Sequence, residues 1–353
     1  MSGSRNMKAS WYKGNMVTYG GSEISPVGYG GIGAEVEMYV SEHRGNDTWT
    51  GLTKERAKET IQAAVDVANS AEYALIDVNI HVEGGYYEEC VWFSRAGTGL
   101  DYTAMLWSAG GVNIGQIGTI RLIADSNVFL MGAVAATAPT LTIGRMNVEI
   151  YNFATIKAQS PDAKPWTGPD GGVVNHWGMP VVYIEDDFNN ADYLNGAGNN
   201  TKVVNCRING GGMTDGGCML NLGGNWNNVY NCIFEYGDNY GYGIGGSNKG
   251  SPGETILKGC TFHQCTDADI LHSNAQVFHI SDCHFASATV TEHFTRLGAG
   301  GGASILVTLT NCSTVQTTLA GFISANNGGC IASGMHTAGA AGASEIGDAD
   351  LTG

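Results

Sequence analysis

The chain is short of proline and of positive charge. It has seven prolines in 353 residues, and 17 lysines and arginines against 33 aspartates and glutamates. A formal net charge of −16 argues against nucleic acid, where a basic stripe is the expected footprint. It also gives no attraction to an anionic membrane surface. There is no apolar stretch of about 18 residues, so no membrane-spanning helix is expected. The opening MSGSRNMKASWYKG has no apolar signal core. Synthesis in the cytoplasm is therefore expected, with the nine cysteines kept as reduced, buried thiols. No C-x-x-C or H-x-x-x-H spacing occurs, so no metal site and no cofactor are expected.

What the chain has in excess is glycine, 53 residues without a collagen period, which implies many tight turns. It also has a repeat. VVNCRI (203–208), VYNCIF (229–234), LKGCTF (257–262), ISDCHF (280–285) and LTNCST (309–314) share one pattern. Each has an aliphatic residue three places before a cysteine and a turn-forming residue just before it. Cys206, Cys232, Cys260, Cys283 and Cys312 are separated by 26, 28, 23 and 29 residues. Phe153 and Ser126 extend the frame upstream, with Ile150 and Ile123 in the aliphatic place. A straight strand repeats its inward positions every two residues. Spacing of three therefore demands a bend, placed at Asn152, Asn205, Asn231, Gly259, Asp282 and Asn311, residue types that tolerate the left-handed conformation.

A strand, a two-residue corner and another strand, repeated about every 26 residues, predict stacked coils from 75 to 335, about ten at this period. Asn152, Asn205, Asn231, Asp282 and Asn311 would then form a ladder, and the cysteines an inward column. The 53 residues between Phe153 and Cys206 are read as two coils, because VVYI (181–184) looks like an additional strand. Ahead of the coils, Ala57, Ile61, Ala64, Val65 and Ala68 have helical spacing, with Thr53 as the expected N-cap. This helix would cover the open end of the stack.

RGNDTWTG (44–51), ETIQAAVDVA (59–68) and IHVEGGYYEECV (80–91) resemble the opening of pectin-lyase-like right-handed parallel β-helix proteins. The coil repeats carry the resemblance to about residue 315. It implies an all-β, single-stranded, right-handed parallel β-helix, divided into an N-terminal arm (1–43), an opening turn and cap helix (44–74), coils (75–335) and a small acidic tail leaving the helix (336–353). Function is left open, since such proteins include lyases, hydrolases, adhesins and bacteriophage tailspikes.

The residue types that carry chemistry collect in the insertions and in a few carboxylate groups. The insertion at 158–180 holds four of the prolines with Trp166, His176 and Trp177, and that at 237–254 holds Tyr240 and Tyr242. These aromatics suit sugar stacking or a subunit interface, the interface being preferred. Glycosidases need two carboxylates on one face. Asp267 with Asp269, and Glu185, Asp186 and Asp187, are the candidates, against the plainer reading of solvated turns. Lyases of the fold use calcium-binding aspartates beside an Arg or Lys base. Arg95, Arg121, Arg145, Arg207 and Arg296 show no such cluster in register. His263, His272, His279, His284 and His293 crowd together in sequence beside Cys260, Cys265 and Cys283, but their places in the repeat scatter them.

Residues 1–22 contain Arg5, Lys8 and Lys13 and no carboxylate. With Trp11 and Tyr12 they form a basic arm on an acidic body. The expectation is a non-enzymatic bacteriophage virion protein, a homotrimeric capsid decoration or cement component docked on another virion protein through this arm. The alternatives are a tailspike-type glycan depolymerase and a glycan-binding adhesin, either of which would engage a host surface glycan.

Overall fold

The computed structural model describes residues 35–70, 73, 76–93, 118–133, 138–159, 178–184, 198–211, 216–222, 226–245, 254–273, 277–290, 293–296, 306–315, 330–333, 335–337, 344–346 and 349–350, with the backbone of 18–19 and 22–23. Three sheets run the length of the molecule. The first is eleven-stranded, the second ten-stranded and the third seven-stranded. Within each, consecutive coils contribute neighbouring strands that pair in parallel, as in Val203↔Val229↔Leu257↔Ile280↔Leu309, and an antiparallel strand ends the first and second sheets. This is a right-handed parallel β-helix.

The corner between the first and second sheets makes this stacking possible. Asn152, Asn205, Asn231, Asp282 and Asn311 have φ between +51° and +64°, and Gly259 has φ +66°. Each turns the chain in the left-handed region and aims its N–H along the stack. Asn205 donates to the Tyr230 carbonyl (3.0 Å), Asn231 to Lys258 (2.8 Å) and Asp282 to Thr310 (3.0 Å). The side chains add rungs, Asn205 Nδ2 to Asn152 Oδ1 (3.1 Å) and Asn311 Nδ2 to Asp282 Oδ1 (2.7 Å). Gly259 fits for a second reason, because a Cβ there would meet Asn231 Oδ1 at 2.4 Å.

After the corner, Cys206, Cys232, Cys260, Cys283 and Cys312 are all buried and unpaired in disulfides. They act as small apolar residues whose thiols reach backbone carbonyls, as Cys232 Sγ reaches Tyr230 O at 3.4 Å. Burial pushes the Cys232 thiol up, and hydrogen bonding to the Cys260 thiol, then burial, does the same for Cys283. Two places further on, Phe234, Phe262 and Phe285 stack face to face at 4.9 and 5.1 Å inside the tube. The spacing is that of neighbouring strands.

The frame fails at Ser126. The register pairs Ile150 with Leu122, not with Ile123. Three residues, Asp125, Ser126 and Asn127, separate the flanking strands there, and all three are exposed. Ser126 therefore lies outside the interior column, whereas Phe153 is buried in it. Residues 153–206 are also one coil, not two, because Val148–Tyr151 pairs directly with Lys202–Val204. VVYI belongs to Pro180–Ile184, the third-sheet strand of that same coil. A second left-handed corner, at Asn147, Asn200 and Trp226, precedes the first sheet.

Both ends of the stack are closed. Helix α1 (Ile61–Ala68) starts after Thr60, whose side chain accepts from the Ala63 N–H. Thr53 instead precedes a separate 3-10 turn, Lys54–Arg56, and makes no side-chain cap. Ala57, Ile61, Ala64, Val65 and Ala68 are all buried. Glu89 accepts from the N–H groups of Ile61 and Gln62 at 2.8 Å each, and Asp47 accepts from those of Glu59 and Thr60. The opening motifs thus hold the helix N-terminus from two sides.

The strand Glu35–Val40, inside the stretch assigned to the arm, is already the first strand of the first sheet. At the far end, residues of the tail expected to leave the helix turn back. Ser344–Ile346 pairs antiparallel with Met335–Thr337, and Ala349–Asp350 with Cys330–Ser333.

The corner predicts its own test. Asn205→Ala keeps φ positive without the side-chain rung, so a loss of about 1–2 kcal/mol is expected in urea unfolding. Asn205→Gly, free of the backbone penalty, is expected to lose less.

Candidate functional site

Two arrangements of ionisable residues are built by the coils. The first lies inside the tube. Register pairs Pro180, Gly217, Tyr240 and Ala268, and then Val182, Met219, Tyr242, Ile270 and Phe294. The residues between them, Val181, Cys218, Gly241, Asp269 and His293, therefore occupy one column. Val181 and Cys218 belong to the hydrophobic core. Asp269 and His293 take the same place in later coils, both with 0% exposure, and His293 Nδ1 lies 2.5 Å from Asp269 Oδ2. A carboxyl and an imidazole sealed inside the tube must find hydrogen-bond partners there, and these two find each other.

The second lies on the outer face of the first sheet, over its first four strands. His81 Nε2 is 2.7 Å from Glu37 Oε2, and His81 Nδ1 is 2.8 Å from Asp125 Oδ1. Partial burial pulls the His81 pKa down, but hydrogen bonds to Asp125 and Glu37 outweigh it and carry the value above that of ordinary histidine. Next to it, Arg121 ties three strands together, reaching Asp77 at 3.0 Å, Glu149 at 3.1 Å and Asn79 at 3.3 Å.

A cavity of about 210 Å³ opens beside His81, between the sheet corner and the opening turn. Arg44, Lys54, Tyr39, Ser41, Glu83 and Asp125 line it. Arg44 holds both oxygens of Glu83, at 2.7 and 2.8 Å, and this keeps the Glu83 carboxyl below its usual value. Lys54 Nζ lies 5.7 Å from the centre of the Tyr39 ring. The Tyr39 ring is stacked on His81 at 5.4 Å. Arg44, Glu83, His81 and Asp125 are thus each engaged by a neighbour of opposite charge. The cavity binds its own coils together more readily than it offers a free acid and base.

The residues singled out in the sequence fare differently. Asp267 is exposed and Asp269 is sealed in the interior, so they do not form a pair on one face. The chain bends at 266–267, just before the strand Ala268–Ser273, which removes the simple alternation that placed them together. Tyr240 and Tyr242 are fully buried, in the strand Tyr240–Gly245. Gly217, the register partner of Tyr240 in the preceding coil, makes room for the Tyr240 ring. A Cβ on Gly217 would sit 2.0 Å from the Tyr240 ring, and Tyr242 packs edge-on against Phe234. The histidines scatter. His279 lies on the outer face of the first sheet, His263 and His284 are exposed on the second, and His272 and His293 are buried. Arg5, Lys8, Trp11, Tyr12, Lys13, Trp166, His176, Trp177, Glu185, Asp186 and Asp187 lie outside the described residues. Glu37, His81, Arg121, Asp125 and Glu149 were missed, because their meeting depends on register across coils of unequal length.

No protein-family model matches the chain, and no curated protein does. Solved structures similar to it include a rhamnogalacturonan lyase, with TM-score 0.48 and 13% identity over 79% of this chain and 68% of that one. A pectin methylesterase in complex with a hexasaccharide gives 0.39 and 11%, over 84% and 78%. A pectin methylesterase from Aspergillus niger gives 0.34 and 14%, over 78% and 65%. These neighbours are pectin-lyase-like parallel β-helix proteins.

Removing one member of the interior pair takes this buried hydrogen bond from the other. His293→Gln or Asp269→Leu is expected to cost about 1–3 kcal/mol in chemical unfolding, and Asp269→Leu with His293→Leu to recover most of that. A double variant as unstable as the single ones would show that the pair is not what holds this column.

Proposed function

We propose that this chain is a non-enzymatic structural protein of a bacteriophage virion, a homotrimeric decoration or cement component. Its arm (1–34) docks on a neighbouring virion protein, and its β-helix is a rigid projecting body. One observation carries the non-enzymatic part. Among the described residues, the candidate pair Asp267 and Asp269 is divided between solvent and interior, with Asp269 committed to His293. Sequence charge supports the docking part, since Arg5, Lys8 and Lys13 stand without a carboxylate before Glu23 in a chain of net charge −16.

The test is co-sedimentation with purified empty capsid shells. The full chain is expected to pellet with the shells. Reversal of Arg5, Lys8 and Lys13 to Glu is expected to abolish this without changing the circular dichroism spectrum. Ultracentrifugation of the free chain is expected to give three copies. Pelleting that survives charge reversal would remove the docking reading.

A tailspike-type glycan depolymerase is the second reading. Trp166, His176 and Trp177 lie just before the third-sheet strand Pro180–Ile184, and Asp186 and Asp187 just after it. Carboxylates and aromatics thus flank one strand in the chain. Release of reducing ends from a host surface polysaccharide, lost in Asp186→Asn with Asp187→Asn, would replace the structural reading with this one.

A further inference from the structure

We propose that His81 is a pH-operated latch. It fastens the first strand of the stack, and the N-terminal arm that leads into that strand, to the two coils that follow. The observation is the position of one imidazole between two carboxylates on different strands. Register sets His81 beside Tyr39 of the first strand and Ile123 of the third. From there Nε2 reaches Glu37 on the first strand and Nδ1 reaches Asp125 at the end of the third.

A carboxylate ion accepts hydrogen bonds and cannot donate them. Both contacts are therefore satisfied only if both ring nitrogens carry protons, which makes the latched form the imidazolium. Loss of one proton to water leaves a lone pair facing a carboxylate, and one of the two contacts becomes repulsive. Asn79 Nδ2 still donates to Glu37 Oε1 (2.8 Å), so Glu37 keeps a partner when the ring withdraws. The switch thus has two defined states.

The surroundings set its direction. Glu37 and Glu35 lie on the first strand, with Asp77 and Glu83 on and just beyond the strand of His81 itself. Arg121 and Asp125 belong to the third, while Arg44 and Lys54 come from the opening turn. Arg121 is occupied by Asp77 and Glu149, and Arg44 by Glu83. The two carboxylates in direct contact with the ring therefore dominate and favour its charged form. With the folded value raised above the unfolded one, the latch contributes fully below the unfolded histidine pKa, about 6.5, and is lost as pH rises through the folded value. It is closed in acid and at its weakest in alkali. Because Glu35 directly continues residues 1–34, the first strand is the root of the arm. The latch would act there whatever the arm binds.

The experiment uses the full chain. Ring nitrogen NMR of His81 is expected to show both nitrogens protonated below the transition. Amide exchange within Glu35–Val40, corrected for the intrinsic pH dependence, is expected to accelerate about tenfold across it, the size of one charge-assisted hydrogen bond. His81→Gln is expected to remove the step. His81→Arg, a permanent cation able to reach both carboxylates, is expected to keep the strand protected at alkaline pH, and Asp125→Asn to move the midpoint down. A neutral ring below pH 6, or an unchanged step in His81→Gln, would overturn the proposal. So would loss of protection in His81→Arg at alkaline pH equal to that of the native chain, provided that variant unfolds at the native urea midpoint.

Discussion

A single backbone conformation sets the plan of this molecule: positive φ at the residue between the first two sheets. A left-handed residue there turns the chain and leaves its N–H parallel to the stacking direction. The carbonyl of the next coil takes that N–H at 2.8–3.0 Å from Asn152 through Asn311. Each corner therefore fixes the register of the following coil, and the residue after it must point inward. Cysteine suits this place because it is small and apolar, and Phe153 shows that a larger side chain can take it where the coil allows. The chemistry of sulfur plays no part in the choice.

Register of this kind has no natural end, so closure must be built separately. The opening segment supplies a substitute for a strand at each sheet. On the first sheet, Gly51 and Lys58 exchange backbone hydrogen bonds with Tyr39. On the second, Glu42 accepts the Tyr86 N–H at 2.9 Å. On the third, Gln62 accepts from the Trp92 N–H at 2.6 Å and donates to its carbonyl at 3.2 Å. These side chains satisfy edge groups that would otherwise template another chain. The far end closes by reversal instead. An antiparallel strand follows the last parallel one in the first and second sheets, which breaks the pattern a further coil would continue.

What was legible in the sequence follows from this physics. The corner forces Asn, Asp or Gly at one position and an aliphatic residue two before it, so the fold could be read from Cys206 onward, where corners are two residues long. At Asp125–Asn127 the corner is longer, and a frame based on spacing slips by a residue. Between Phe153 and Cys206 an insertion lengthens one coil to the size of two, and only pairing distinguishes these cases. YGYGIG misled because glycine was read as turn, whereas Gly241 lies where the next coil packs closely, its Cβ position 2.8 Å from the Asp269 carbonyl and the Phe262 ring. Asp267 and Asp269 were joined by strand alternation, which a bend abolishes. The His81 and Arg121 contacts were beyond reach, since they join residues about 40 apart that only correct stacking brings together.

The sheets differ in what they leave open. Strands of the first sheet alternate buried and half-buried positions, whereas Pro180–Ile184 and Gly217–Asn221 of the third are buried throughout. Tyr183, Leu220, Tyr240 and Leu271 form a second apolar cluster on the third sheet, apart from the main core. The connections that enter and leave this sheet are the long ones, while the first-to-second corner stays short. Insertions there cost little, because the corner that fixes register is untouched by them. Chemistry added to this scaffold would therefore be carried by the segments around the third sheet. The first-sheet face, cross-tied by His81 and Arg121, holds the coils in place beneath it.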